Sequence, residues 1–448
     1  MKNLQILLMI LGIMHSGYSQ TNLTVEQIKN MAVKNNSKVK NSVLELEAAK
    51  ESKQEMFTNY FPKVTASVIG MQALDPLLEI KMKGGNLPVY DGNVANLAAA
   101  SQFAYMPDVN MGLFNQVGLG YLNVLQPVYA GGKIKTANHL TSLNVEVKER
   151  QQHLTADEIL FTAEQQYWQV VIVQEKQKTL EGYIQFLDTL YRQVNAAFKN
   201  GMIIKNDLLK VTIRQQELQV SKIQLANERK LALMRLCQTI GAEYNPEIVL
   251  SSSLADLSEP DNYFVDHKTV LVNRAEYQLF EKAAEASKLE TKLKRADYLP
   301  SLGVGVTAYY MDQFESNQNG AGNGMAYASL TVPISDWWGA KHKLNELKLR
   351  ESITKNSLED SRGLLLLQME KAWTDVMELN EKIHLIQATF LQTEENLIVS
   401  QKSYNNGILQ LSDLLEAQVL KTETQDKLIE VKSHYKTALT KYLQVTAR

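Results

Sequence analysis

The distribution of proline constrains this chain more than any other feature. There are nine, yet none falls between Lys133 and Ala242, and none between Ile334 and the C-terminus. An interior proline removes a helical hydrogen bond and clashes with the preceding turn, at a cost of about 3 kcal/mol, so only spans free of it can become long uninterrupted helices. Pro62, Pro127, Pro300 and Pro333 instead flank short alternating segments. Pro76, Pro88 and Pro107 share one loop-like stretch, and Pro246 and Pro260 share another.

Periodicity agrees with the proline map. From Val170, the residues Val173, Gln177, Leu180, Ile184, Leu187, Tyr191, Val194 and Phe198 follow in steps of three and four, the spacing of a coiled-coil seam. The phrase KNGMIIKNDLL, from Lys199 to Leu209, returns as NNGILQLSDLL, from Asn405 to Leu415, which sets Gly201 and Gly407 206 residues apart. Moving the seam by that offset lands on Val376, Leu379, Ile383, Ile386, Phe390, Thr393, Leu397, Ser400 and Tyr404, which is again mostly apolar. The offset comes from the glycine phrase and not from the seam, so the agreement implies duplication of a whole structural unit. A last helix carries the same rhythm at Leu428, Val431, Tyr435, Ala438 and Tyr442. Each phrase reads as the tip of a helical hairpin. Gly201 or Gly407 ends one helix in the left-handed conformation, Asn206 or Ser412 caps the next, and Asp207 or Asp413 sits in its first turn facing the positive helix end.

The non-helical segments have a period of two. In SLGVGVTAYY, Leu302, Val304, Val306, Ala308 and Tyr310 alternate with small or polar residues, and Ala326–Ile334 repeats the pattern. Weaker copies run from about Lys63 to Met71 and from Val117 to Val128. Four strands in two pairs result, each about ten residues long, the length that crosses a bilayer when tilted. One pair is joined by the turn 312–325 and the other by a long loop, 72–116. Aromatic residues stand where strand meets helix: Tyr60, Phe61, Tyr129, Tyr298, Trp337 and Trp338. Amphipathic rings prefer the headgroup level, so these read as a membrane-interface girdle.

The N-terminus, MKNLQILLMILGIMHSGYS, has a lysine, an apolar run from Ile6 to Met14 and small residues near position 19, the layout of a secretory signal peptide. Beyond it no stretch approaches the roughly 20 apolar residues of a membrane helix. With 47 basic and 49 acidic side chains and a net charge of -2, the chain has no electrostatic footprint for nucleic acid. The single cysteine, Cys237, precludes an intrachain disulfide.

A membrane sheet must close, because each unpaired edge group in hydrocarbon costs several kcal/mol. Four strands cannot close around a filled interior, so several chains must contribute. Two copies would supply eight strands and three would supply twelve, and only the larger number leaves an open lumen. The helical run from Lys133 to Lys199 is about 100 Å long, far more than a globular domain requires.

These features together resemble the outer membrane efflux proteins of the TolC-like family. The resemblance is carried by Tyr60-Phe61-Pro62 and Tyr298-Leu299-Pro300 opening strands, by Pro127 through Gly131-Gly132-Lys133 and Pro333 through Gly339-Ala340-Lys341 returning to helix, and by the two hairpin phrases. It implies an α+β membrane protein with an internal two-fold sequence repeat and four strands per chain. The implied assembly is a homotrimer, whose twelve-stranded outer membrane β-barrel continues into a long α-helical coiled-coil periplasmic barrel. The expected division is a signal peptide at 1–19, a first repeat at 20–240, an equatorial segment at 241–268 and a second repeat at 269–448.

By the same resemblance, the hairpin tips would meet a periplasmic adaptor protein through Gly201, Met202 and Ile203 in the first repeat and Gly407, Ile408 and Leu409 in the second. Asp413 and Glu416, with Tyr404, match the residues that close the periplasmic end in the family. Where familiar members place a basic residue two positions after the second glycine, this chain has Leu409. The implied function is the exit duct of a tripartite efflux or type I secretion system, serving an inner-membrane pump of the RND or ABC type. No catalytic constellation, cofactor motif or metal-ligand spacing appears, and the seven histidines form no close pair. The chain is therefore expected not to be an enzyme. The rival reading is a soluble periplasmic coiled-coil scaffold or adaptor with a small β-domain.

Overall fold

In the computed structural model the described residues are 22–113, 115–251, 254, 257–314 and 319–448. The expected leader at 1–19, residues 315–318 of the turn 312–325 and most of the serine run after Leu250 lie outside them. Helices α1 (Val25–Asn35) and α2 (Ser37–Phe57) precede two long hairpins. The first hairpin is α3 (Lys133–Lys199) with α4 (Lys205–Ile240). The second is α6 (Trp337–Asn405) with α7 (Leu411–Val445), and α5 (Ala275–Ala296) lies between the two in sequence. The proline-free spans are thus helical nearly to their ends. The first helix of each hairpin stops, and the second begins, at positions that correspond under the 206-residue offset.

Two compact units result. One comprises the described residues up to Glu51 with Ser142–Ser287 and Arg350–Arg448. Its elements are held by apolar seams. The first cluster joins Ile28 and Ala32 of α1 to Tyr167 and Val170 of α3 and to Leu233, Leu236 and Ile240 of α4. A second joins Met369 and Val376 of α6 to Tyr435 and Tyr442 of α7 and to Leu271. Fully burying a side chain of this size contributes about 1.5–3 kcal/mol, so apolar burial dominates each seam, and Lys29 of α1 also pairs with Glu164 of α3. Thr24 starts α1 with a capping box: its Oγ1 accepts from the Gln27 N–H at 3.3 Å, and Gln27 Oε1 accepts from the Thr24 N–H at 2.9 Å. β8 (Val249–Leu250), in the segment after α4, pairs in parallel with β1 (Asn22–Leu23), which precedes α1. Arg274, at the head of α5, is buried, and its Nη2 donates to Glu276 Oε1 at 2.7 Å and to Gln368 Oε1 at 3.0 Å. Its charge is balanced by Glu276, as a buried guanidinium requires.

The other unit comprises Ser52–Thr141 and Lys288–Leu349. Its centre is one antiparallel sheet of β2 (Lys63–Gln72), β7 (Gln116–Ala130), β9 (Ser301–Gln313) and β10 (Ala321–Thr331), in the order β10-β9-β7-β2. The register sets Val64, Val124, Val306 and Ala326 side by side, so the apolar alternation of each strand falls on one face. Val64, Val68, Leu122, Val304, Val306 and Leu330 on that face are exposed. On the opposite face Asn123 Oδ1 accepts from Thr307 Oγ1 at 2.7 Å and from Tyr327 OH at 2.8 Å. The last strand begins at Ala321 and ends at Thr331, starting five residues and ending three residues before the Ala326–Ile334 segment expected from alternation. The hydrophobic pattern marked its second half and ran past its end. The loop 72–116 also differs from expectation. It is a folded arm in which β3 (Leu78–Met82) pairs with β6 (Val109–Leu113) and β4 (Gly85–Pro88) pairs with β5 (Phe103–Met106).

Gly131 and Gly132 turn the chain from β7 into α3 with φ of 61° and 82°. A Cβ at Gly131 would stand 2.8 Å from the Ala296 carbonyl oxygen, whereas one at Gly132 would meet nothing within 4 Å. Gly132→Ala is therefore expected to cost about 1 kcal/mol, the left-handed strain alone. Gly131→Ala is expected to cost more, because its methyl must also displace the backbone of Ala296. Chemical denaturation in detergent micelles measures both, and equal losses would show that the Ala296 contact relaxes freely.

Candidate functional site

Both hairpin tips are built from the same backbone motif. Gly201 and Gly407 have φ of 70° and 72°. In the first tip the Gly201 N–H donates to the Phe198 carbonyl at 2.9 Å and the Met202 N–H to that of Ala197 at 2.9 Å. In the second, Gly407 donates to Tyr404 at 2.9 Å and Ile408 to Ser403 at 2.9 Å. Both patterns are Schellman closures, in which a left-handed residue lets the last carbonyls of the helix find partners. The glycine therefore answers a backbone demand that no branched side chain meets.

The helix starts differ from the sequence expectation. Asn206 and Ser412 cap nothing: α4 is preceded by Ile204 and α7 by Gln410, neither of which makes a side-chain cap. The helices start two residues early because the Schellman turn delivers the chain already extended at those positions. Asp207 and Asp413 do lie in the first turns, where a carboxylate meets the positive helix end. Ser412 Oγ instead accepts from Lys210 Nζ at 2.9 Å, and Lys210 also reaches Asp207 Oδ1 at 3.4 Å. One lysine of the first tip is thus fastened to both tips.

The apolar tip residues divide by direction. Met202 and Ile408 are 75% and 78% exposed. Ile203 is half-buried and packs into the tip core formed by Leu187, Leu190, Val194, Val211, Leu411 and Leu414, while its neighbour Ile204 is 66% exposed. Leu409 is half-buried. Of the three residues singled out in the first tip, then, Ile203 turns inward and Ile204 takes its place on the surface. A three-residue motif cannot reveal that, because the direction is set by the turn.

Asp413 and Glu416 are both exposed on one side of α7, opposite buried Leu411, Leu414, Leu415 and Gln418. Tyr404 is half-buried against the tip core. Burial raises its phenol above the ordinary tyrosine range, and the nearby charge of Asp207 adds to the effect. Tyr404 thus belongs electrostatically to the first tip as well as to its own. Further along α7, Asp426 was not singled out from sequence. Its Oδ1 is buried without a hydrogen-bond partner, beside the Lys176–Glu430 ion pair at 2.5 Å. Burial pushes this carboxyl up to about 6; Lys176 opposes the shift and Glu430 reinforces it. A carboxylate two residues before the seam position Leu428 carries no sequence mark that separates it from a solvated one.

At the strand junctions the aromatic residues lie on the surface. Tyr60, Phe61, Tyr129, Trp337 and Trp338 are exposed and Tyr298 is half-buried. Phe57 gathers Tyr60 and Phe61 at ring separations of 5.5 and 5.6 Å. Trp337 Nε1 donates to the Tyr298 carbonyl at 2.8 Å. Between them Asp297 is partly buried, which raises its carboxyl, but Lys133 at 2.7 Å and Lys294 at 3.1 Å more than offset this and hold it below the ordinary range. Among the described residues, no helix is long and apolar enough to cross a membrane, and no cluster could hold a metal ion.

The chain thus combines a four-stranded sheet with an exposed apolar face, aromatic residues at the strand junctions and long helical hairpins. Residues 268–446 match the family described as outer membrane efflux protein. The alkaline protease secretion protein AprF of Pseudomonas aeruginosa is 23% identical over 258 residues, covering 54% of this chain and 51% of that protein. The chain thus matches about half the length of this curated relative. Among solved structures, the CmeC outer membrane channel of Campylobacter jejuni has a TM-score of 0.75 at 14% identity, over 94% of this chain and 85% of the other. The open-state MtrE outer membrane channel of Neisseria gonorrhoeae has a TM-score of 0.73 at 14% identity, over 94% and 88%. Residues 268–446 thus match the outer membrane efflux protein family, and the chain as a whole has the fold of these outer membrane channels.

The Asp426 environment gives a pH dependence of definite sign. A carboxyl raised in the folded state keeps its proton where the unfolded chain has lost it, so stability falls as pH rises from about 4 through about 6. Asp426→Asn is expected to melt higher than the parent at pH 8, by about 2–4 °C, and level with it near pH 4. Circular dichroism melts at the two pH values test this, and an equal offset at both would remove the charge explanation.

Proposed function

We propose that the protein is the outer membrane exit duct of a tripartite efflux or type I secretion system. In this reading three copies each supply β2, β7, β9 and β10 to a twelve-stranded barrel continuous with a coiled-coil periplasmic tunnel. Cargo passes through passively, delivered by a periplasmic adaptor and an inner-membrane pump. The observation that carries the reading is the four-stranded sheet itself, with an exposed apolar face and unpaired outer edges on β2 and β10. A water-exposed scaffold gains nothing from such a face, and the family match also favours the channel. The residue plan follows: leader 1–19, repeats 20–240 and 269–448 descended from one duplicated unit, and the equatorial segment 241–268 between them. The relative that secretes alkaline protease supports polypeptide cargo as one candidate. Members of the family are channels, and the energy for export would come from the pump. Reconstitution into planar bilayers tests the reading directly: discrete ion-conducting steps support it, and detergent-free solubility with no conductance overturns it.

Met202, Ile204 and Ile408, with half-buried Ile203 and Leu409 beneath them, would dock the adaptor around Gly201 and Gly407. No atom lies within 4 Å of a Cβ built at either glycine, and aspartate tolerates the left-handed region better than most residues. Gly201→Asp or Gly407→Asp is therefore expected to leave assembly intact and abolish transport. Drug or protein export assays beside a trimer gel check this, and full export from both variants would argue against tip docking.

Asp413 and Glu416, with Tyr404, would form the periplasmic gate, each carboxylate repeated three times about the axis. Like charges held that close attract cations. Asp413→Ala/Glu416→Ala is expected to raise single-channel conductance several-fold and to weaken block by divalent cations. Conductance and block matching the parent would discard the gate.

The aromatic residues Tyr60, Phe61, Tyr129, Tyr298, Trp337 and Trp338 would sit at the headgroup level of the outer membrane.

A further inference from the structure

The two faces of the four-stranded sheet exchange character toward the end away from the helices. Over most of its length the even-numbered face is the exposed apolar one, carrying Val64, Leu122, Val306 and Leu330. Tyr310 is exposed on that face, and in the next row beyond it stand Gly70, Gly118 and Asp312. The odd-numbered face changes in the opposite sense. Nearer the helices its rows are mainly polar: Thr65, Asn123, Thr307 and Met325, then Ser67, Tyr121, Tyr309 and Asn323. The row after these is Ile69, Leu119, Met311 and Ala321, and Met71 and Val117 follow.

The end of the hydrocarbon accounts for the first change. A tyrosine followed two residues later by a carboxylate on the same face is what a strand leaving lipid presents, because rings favour the interface and charge is costly inside it. Strands β7 and β9 have 15 and 13 residues, more than the roughly 9–11 that cross a bilayer. Their ends therefore stand in water, which suits Gly118 and Asp312. Water does not suit the opposite face at the same level, where Ile69 is 50% and Met71 43% exposed within the chain. The folded arm adds to this apolar end: exposed Leu78, Ile80 and Met82 lie opposite Leu113, Met111 and Val109 in its ladder.

We infer that this inverted end is an apolar throat at the outer mouth of the duct, lined by Ile69, Met71, Val117, Leu119 and Met311 of each copy, which holds back hydrated ions and admits molecules that carry apolar surface. The inference rests on the duct reading above and names the place where cargo is sorted. Beyond the bilayer no lipid fixes the width of the ring, so like rows can converge until their apolar side chains shed water. A constriction of that kind impedes ions because they cross it only by losing hydration. Apolar cargo has no such shell to lose, and its contact with the throat removes apolar surface from water. Among the described residues of the four strands, the odd-numbered face carries one charged side chain, Lys63, at the helix end. The wall thus discriminates by polarity and not by the sign of charge.

The test uses the full chain in a Cys237→Ala background, labelled from outside in intact cells. Ile69→Cys is expected to react at least tenfold more slowly than Gln72→Cys with a charged, membrane-impermeant thiol reagent, and at a similar rate with an uncharged apolar maleimide. Both positions are exposed within the chain, so burial in one copy does not produce the difference. In planar bilayers, Ile69→Ser/Met311→Ser is expected to raise conductance several-fold, measured with Asp413→Ala/Glu416→Ala present so that the tip does not limit the current. Equal rates with the charged reagent, or an unchanged conductance, in a protein that still gives conducting steps would overturn the throat and leave the duct standing. No conducting steps, together with no labelling of Gln72→Cys from outside, would overturn both.

Discussion

Along β2 and β10, one row of backbone N–H and C=O groups on each strand has no ladder partner among the described residues, because each strand pairs on one side only, with β7 or β9. Water satisfies such a row at no cost, but hydrocarbon leaves each group unpaired at several kcal/mol. The exposed valines and leucines on the apolar face of the same sheet call for the second environment. An apolar face asking for lipid and edges that lipid cannot satisfy are compatible only if the sheet is completed from outside the chain. That conflict supports assembly more firmly than any single motif.

The helices meet a similar demand by other means. A seam buried within one chain fixes a hairpin but says nothing about neighbours, so the decisive residues are those that remain apolar after the internal seam is filled. On α3 and α7 the remainder is polar and charged, and on α4 and α6 it is not. The sheet and the helices therefore divide their surfaces alike. Each has one part finished internally and one part whose apolar side chains stay exposed among the described residues.

Much of this was legible in the sequence, and the parts that were not share a cause. Long helices follow from the absence of proline, and the tips follow from glycine at positions where φ must be positive. Both are local demands on the backbone that a residue either meets or does not. The four long strands were found because alternation at period two marks a face, though the start of β10 was lost where Ala321 to Gly324 carry almost no hydrophobic contrast. The short ladders inside 72–116 carry no readable alternation because their strands are only four or five residues long. At the tips the glycines and first-turn carboxylates were readable. The inward turn of Ile203, the link from Lys210 to Ser412 and the burial of Asp426 were not, because each depends on which helix lies opposite, and nothing local encodes that.

The two tips share a backbone but have diverged in charge, and the divergence bears on how a duct could be gated. Under the 206-residue offset Asp207 corresponds to Asp413, and Lys210 to Glu416. In the first tip the acid has a lysine one turn away at 3.4 Å, and that lysine is also held by Ser412. That pair is neutral and fastened. In the second tip the same helical step places a second carboxylate, and both acids are exposed. Had the second phrase kept the first tip's residues, each end would carry its own ion pair. Replacing the cation by an anion in one copy leaves uncompensated negative charge on that tip only, while the other keeps the lysine that ties the hairpins together. A structural anchor and a cation-sensitive constriction require opposite chemistry at the same position, and a repeated hairpin supplies that position twice.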